Sequence, residues 1–189
     1  DRLTAAVEVT QNRIQATLAA NAANVGTLSA EAHSVLSRRN GAWGVAGNAP
    51  LRVAARANVT TLKPLVARLV RGVAADGRLA LELEGAGTVA EPLWSGHATG
   101  EQISIEQVRN GVFLRDGSLQ AEFAGKRIEL RALSVRGGEG RFDAKGTVTL
   151  SEPRPAFSID WSSDKLAMAQ RPDLLLVATG SGNLSGDSE

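Results

Sequence analysis

Cysteine is absent, which excludes disulfide bridges and thiolate metal sites and leaves the redox compartment open. Tyrosine is absent too, methionine occurs once, and aromatics make up 4% of the residues, so the apolar content is aliphatic. No apolar run approaches the ~18 residues of a membrane-spanning helix, and the opening Asp1-Arg2-Leu3-Thr4 lacks the charged-then-apolar form of a signal peptide. Charge of one sign is also lacking. Against 20 acidic residues stand 21 basic ones, a net charge of +1, which argues against a footprint built for nucleic acid or for an anionic membrane surface. What is present is ordinary for a globular chain of 189 residues, 43% hydrophobic and 22% charged, enough to exclude wholesale disorder and to bury a core. Glycine, at 20 residues, is above the usual ~7%, as suits many strands and turns. The chain starts inside an alternating pattern and ends in polar Gly, Ser and Asp. It reads as a segment of a longer protein, with residues 1–180 a single elongated β-repeat domain and 181–189 a polar tail or linker.

Period two dominates the rest. Leu79, Leu81 and Leu83 alternate with Arg78, Ala80, Glu82 and Glu84, the pattern of a strand with one apolar face. The same alternation recurs at Leu119-Ala121-Phe123, Ile128-Leu130, Phe142-Ala144, Val148-Leu150 and Phe157-Ile159-Trp161, and upstream at 51–59, 5–9 and 14–18. Glycine-containing punctuation falls between these runs at steps of roughly 8 to 12 residues, as in an all-β array. Asn40-Gly41, Asn110-Gly111 and Asp116-Gly117 suit tight hairpins, and Gly85-Ala86-Gly87, Gly125, Gly137-Gly138 and Gly146 read as further breaks. An antiparallel meander from Gly77 onward follows. One stretch has a different period. Leu62, Leu65, Val66, Leu69 and Val70 form a helical stripe within Thr61 to Arg71, with Thr61 as N-cap, Pro64 in the first turn and Gly72 at the C-terminus.

Little in the chain carries chemistry. His33 and His97 are far apart and neither has a second ligand at metal spacing. No Gly-x-Ser-x-Gly elbow, P-loop or dinucleotide fingerprint occurs. Gly180-Ser181-Gly182 reads as a flexible linker, since no helical pattern follows it. Glu82 and Glu84 share the polar side of a leucine strand, which makes them a solvated face, and Trp43, Trp94 and Trp161 are too scattered to stack bases. The sequence is that of a non-enzyme with no metal and no cofactor. Two readings of the apolar face then compete: a sheet closed on itself or on a second sheet, with ordinary core, or an open trough left for a ligand. Both demand the same alternation.

Gly77-Arg78-Leu79-Ala80-Leu81-Glu82-Leu83-Glu84-Gly85, then Trp94-Ser95-Gly96 before Ile103 and Ile105, then Gly111 to Leu119, Leu130 to Gly140 and Gly146 to Leu150, resemble in order and spacing the C-terminal repeat region of the TamB family. That family is the inner-membrane component of the translocation and assembly module, in the AsmA-like group. Trp43, Ala49-Pro50-Leu51 and the Leu62 to Leu69 stripe are similar to the same pattern. The resemblance implies a β-taco: a long, curled, antiparallel-rich sheet with a hydrophobic groove and one short amphipathic helix near 61–71. It also implies the periplasmic portion of an inner-membrane-anchored protein of a Gram-negative bacterium. Its implied work is phospholipid transport between the membranes and outer-membrane protein (autotransporter) assembly. Implied partners are phospholipid acyl chains, a TamA-like outer-membrane β-barrel protein and nascent outer-membrane protein strands. About twelve to fifteen strands at ~4.8 Å spacing would make a sheet roughly 60 to 70 Å long. The residues expected to line the groove are Leu79, Leu81, Leu83, Ile103, Ile105, Leu119, Phe123, Ile128, Leu130, Phe142, Val148, Leu150, Phe157, Ile159 and Trp161. The alternative is a structural or interaction β-domain, a closed solenoid or sandwich such as a surface-protein passenger, with no lipid conduit.

Overall fold

The computed structural model describes residues 2–39, 41–150 and 155–186. The alternating runs become β1 (Arg2–Thr10), β2 (Arg13–Ala22), β3 (Gly26–Arg39), β4 (Ala42–Val45) and β5 (Arg52–Val59). After them come the helix α1 (Lys63–Leu69), β6 (Ala74–Gly87) and β7 (Pro92–Gln107), followed by a single 3₁₀ turn at Val108–Asn110. The chain then forms β8 (Val112–Gly125), β9 (Arg127–Gly137), β10 (Gly140–Thr149), β11 (Ala156–Arg171) and β12 (Leu174–Gly186). One sheet contains them all, ordered as in the chain except that β4 pairs only the end of β3 while β5 lies beside β3 in the main path. Every pairing is antiparallel, so the expected meander from Gly77 extends over the whole described chain.

The strands of the second half are longer than the punctuation suggested, 10 to 16 residues. Two expected breaks lie inside strands. Asp116-Gly117 is in β8, where Asp116 takes φ 54° and the register with β9 shifts between Arg115 and Ser118. That makes it a bulge and not a hairpin turn. Gly146 pairs Leu130 and Ile159 in the middle of β10. Gly180-Ser181-Gly182, expected as linker, lies in β12 paired with β11. Asn40 lies outside the described residues. Fewer, longer strands also shorten the sheet: eleven along the main path at ~4.8 Å spacing span about 50 Å, below the 60 to 70 Å anticipated.

The helix is present but shorter than expected. Its N-cap position is Leu62, with no side-chain cap, and Pro64 lies in the first turn. The Thr61 hydroxyl accepts the Lys63 amide at 3.4 Å and donates to Asp76 Oδ1 at 2.6 Å, an oxygen that also accepts the Gly77 amide at 2.8 Å. Leu62 donates its amide to the Gly77 carbonyl at 3.1 Å, so the helix start is fastened to β6 by backbone and carboxylate together. Leu62 and Val66 are half-buried, whereas Leu65 and Val70 stay exposed, so only part of the stripe packs on the sheet.

The sheet curls without closing. The glycines Gly137 and Gly140 pair each other, and a Cβ on either would meet the β11 backbone, Ala167 O at 2.7 Å and Lys165 O at 2.0 Å. The Gln170 amide donates to Gly111 O at 2.7 Å, tying the end of β11 to the start of β8 three strands away. The turn is made by bulges: Gln102, Asp116 and Lys165 have positive φ, and each sits at a register shift. Leu166, Ala167 and Ala169, buried under this fold-over, together with Ala144 and Ala49 are the buried apolar residues, and no described side chain is fully buried. The exposed surface is 12952 Å², where a compact monomer of 19.7 kDa exposes about 8,600 Å². That excess of about half overturns the closed-sandwich reading, since closure would remove the inner face from water.

Two consequences are measurable. Hydrogen bonds from Thr61 and Gly77 hold the Asp76 carboxyl below its ordinary value of 3.8, so its contribution is present above that pH and lost as pH falls through the folded-state value. Asp76→Asn should therefore lower the melting temperature at neutral pH, with the difference from wild type shrinking below about pH 4; an equal deficit at both ends of that range would refute the assignment. At Gly96, in mid-β7, φ is +143° and a Cβ would lie 2.1 Å from Glu82 O. Gly96→Ala should cost at least ~1–3 kcal/mol in denaturant unfolding.

Candidate functional site: an open apolar face

Register places the apolar residues in transverse rows. One row runs Leu3, Ala20, Leu28, Ala57, Leu81, Ala98, Ala121, Leu130, Gly146, Ile159, Leu184, one residue from each strand of the main path. Its neighbour runs Ala5, Leu18, Ala30, Ala55, Leu83, Gly96, Phe123, Ile128, Val148, Phe157, Gly186. A third carries Val59, Leu79, Gly100, Leu119, Leu133, Ala144, Trp161 and Gly182. Neither full-length row contains a polar side chain.

Within the rows, some large residues face small ones, as Leu28, Leu81 and Leu83 do, while Phe123, Ile128, Val148 and Phe157 pair one another in succession. Trp94 covers Gly85, where a Cβ would be 2.6 Å from its ring, Trp161 lies over Gly182, and Phe157 lies over Gly186. Leu79 and Leu119 crowd onto Gly100 in the same way. Phe142 stacks on Trp161 with ring centroids 6.3 Å apart. The strand-interior glycines are thus seats for neighbouring side chains, and they leave the face level.

Fourteen of the fifteen residues expected to line a groove lie on this face, and the fifteenth, Leu150, follows the last residue of β10. Leu79, Leu81, Leu83, Ile103, Ile105, Leu119, Phe123, Ile128, Leu130, Phe142, Val148, Ile159 and Trp161 are half-buried by their neighbours. Leu150 and Phe157 are exposed, at 40% and 37%. Gly137 belongs to the same face, since it pairs Leu114 in line with Ile105, and it is there that β11 folds over. The apolar side is therefore the concave one at that end. Trp94, Leu133, Leu28 and Leu18 lie on the same face but were not among the residues expected to line the groove. Leu18 belongs to an alternating run legible in the sequence, and register joins it to Ala5 and Ala30 and joins Leu28 to Ala20 and Ala57.

The opposite face is polar. Arg56, Glu82, His97, Glu122 and Glu129 follow one another across β5 to β9. Arg131 bridges Glu122 at 2.8 Å and Glu129 at 2.9 Å. The hydrogen bond from Arg131 holds the Glu122 carboxyl below its ordinary value, and Glu122 in turn raises the guanidinium. These pairs are solvent-exposed and contribute little to stability. His33 lies 3.9 Å from Glu31 and His97 stands between two glutamates. Among the described residues no group of His, Cys, Asp and Glu could hold a metal ion, and no helix is long and apolar enough to cross a membrane.

Comparison with protein-family models, with curated proteins and with solved structures gives no match.

A charge distinguishes the open face from the small closed end. Leu81→Asp and Leu130→Asp leave the new carboxylate reachable by water, so both variants should keep a far-UV β spectrum and melt cooperatively. Leu166→Asp, at a position 8% exposed under the fold-over, buries an unpaired charge and should unfold that end. Equal collapse of all three variants would mean that the face is a core.

Proposed function

We propose that the chain is a section of an apolar conduit that shelters phospholipid acyl chains. The observation that carries this reading is the pair of uncharged rows running unbroken across eleven strands with no second layer over them. A surface of this kind recognises length and apolarity alone: each methylene laid against it contributes about 0.8 kcal/mol without needing a directional partner. Aliphatic side chains levelled by glycine suit a mobile chain better than a shaped ligand, whose pocket would need convergent polar groups. The polar outer face, with acid and base interspersed, keeps such a section in water.

The resemblance of Gly77 to Leu150 to TamB-like repeats supports the same reading and extends it. On that extension the section belongs to the periplasmic part of an inner-membrane-anchored protein, passes phospholipid between the two membranes, and works with a TamA-like outer-membrane barrel. Nascent outer-membrane protein strands, which are apolar on one face, are the second cargo. In this proposal the face binds and conducts, and no residue is assigned a catalytic role.

Protein purified without detergent should carry phospholipid, detected by native mass spectrometry or by extraction. Leu81→Arg combined with Leu130→Arg should abolish that lipid in a protein that still folds. A wild-type protein that carries no lipid, and that no photoactivatable fatty-acyl probe crosslinks along the apolar face, would sink the proposal.

A further inference from the structure

The near-neutral net charge conceals a separation along the sheet. Residues 1–75 hold nine basic and three acidic residues, and residues 76–189 hold twelve and seventeen. Strand order follows chain order, so β1 to β5 make a cationic half and β6 to β12 an anionic one. In the anionic half arginines meet acidic neighbours. Arg131 bridges two glutamates and Arg171 pairs Asp173. In the outer-face row Arg115, Arg136, Arg141 the flanking two each face an aspartate, while Arg136 makes no ion pair among the described residues. The cationic half differs at one place on the apolar face. There β1, β2 and β5 bring no charge, and β3 brings one, Arg38. Alternation carries the face along β3 from Leu28, Ala30 and Ala32 through Ser34 and Leu36 to Arg38. Pairing with β5 ends at His33 and with β2 at Val35, so the last turn of the face stands on the β3–β4 hairpin alone. Opposite Leu36 is Val45, and opposite Arg38 is Trp43, 41% and 58% exposed. Arg38 Nε donates to Gly41 O at 3.4 Å, a long bond, and the guanidinium makes no ion pair among the described residues.

Within one strand the face thus passes from methyl groups to an indole and then to an unpaired guanidinium. That is the order of chain, junction and head in a phospholipid. Indole rings settle where apolar and aqueous regions meet, and a guanidinium fork matches the oxygens of a phosphate. We infer that the apolar face takes an acyl lipid with an anionic phosphate head, seated head-outward at the β3–β4 hairpin, a placement that rests on the reading of this face as a seat for acyl chains. Arg38 donates to the phosphate, and Trp43 covers the junction between chain and head. At the outer end of β3 the Arg38 charge stays in water when no lipid is bound, so it costs the fold little. The basic surplus of β1 to β5 favours an anionic head at this half of the sheet over the other.

Detergent-free protein would be given an equimolar mixture of phosphatidylglycerol and diacylglycerol with the same acyl chains, carried on cyclodextrin, and the bound lipid read by native mass spectrometry. Wild type should hold phosphatidylglycerol over diacylglycerol by at least about tenfold, and excess glycerol phosphate should not displace it. Arg38→Gln should abolish the preference, with diacylglycerol supplied alone still binding as in wild type, and Arg38→Lys should keep part of it. Arg52→Gln, at an exposed arginine on the outer face of the same half, should leave the preference unchanged. Arg38 is exposed and bonded only within its own hairpin, so its variants should fold and melt as wild type does. No preference in wild type, a preference that survives Arg38→Gln, an equal loss in Arg52→Gln, or displacement by glycerol phosphate overturns the head-group site and leaves the acyl-chain reading standing. Binding of neither lipid overturns both.

Discussion

The structure depends on cross-strand packing along a face that has no opposing layer. In a sandwich, apolar side chains are stabilised by those of a second sheet; here each has only its neighbours along the row and along the strand. That is why Leu81, Leu83 and Leu130 are half-buried and no described side chain is fully buried. Where large side chains pair with small ones, the same constraint is at work. A leucine beside an alanine, or a tryptophan over a glycine, fills the space between strands without leaving ridges. The antiparallel ladder satisfies the backbone, and the rows supply what hydrophobic stabilisation an open sheet can have.

Curvature has a separate origin. Non-glycine residues at positive φ, Gln102, Asp116 and Lys165, mark register shifts on β7, β8 and β11, and bulges bend and twist the strands that contain them. Their effect is concentrated where β11 crosses back over Gly137, and there Leu166, Ala167 and Ala169 make a small core. The inner face consequently changes along the sheet from open rows to a closed end. The outer face carries the charge, some of it compensated locally, as at Arg131, and some of it not, as at Arg136.

The strands were legible because alternation is a local property. Leu79, Leu81 and Leu83 state their face within five residues, and register later placed them where that alternation required. The breaks were less legible, because glycine serves two purposes with the same letter. Gly125 and Gly138 turn hairpins with φ of 65° and 62°, while Gly146 sits in mid-strand and Gly182 seats a tryptophan from the neighbouring strand. Which purpose applies depends on residues far away in the chain. Thr61 shows the same limit on a smaller scale: its contact with the Lys63 amide at 3.4 Å needs only its own neighbours, but the shorter bond its hydroxyl donates runs to Asp76, fifteen residues on.

By itself the sequence determined an all-β chain with one apolar face, a short helix after β5 and a charge-mixed opposite face, because period and composition act over a few residues. Tertiary structure alone decided that the face stays open, that strand-interior glycines belong to its surface, that the curl closes at one end and that three arginines share a row. Each of these is set by register and curvature, which join residues that no local pattern connects.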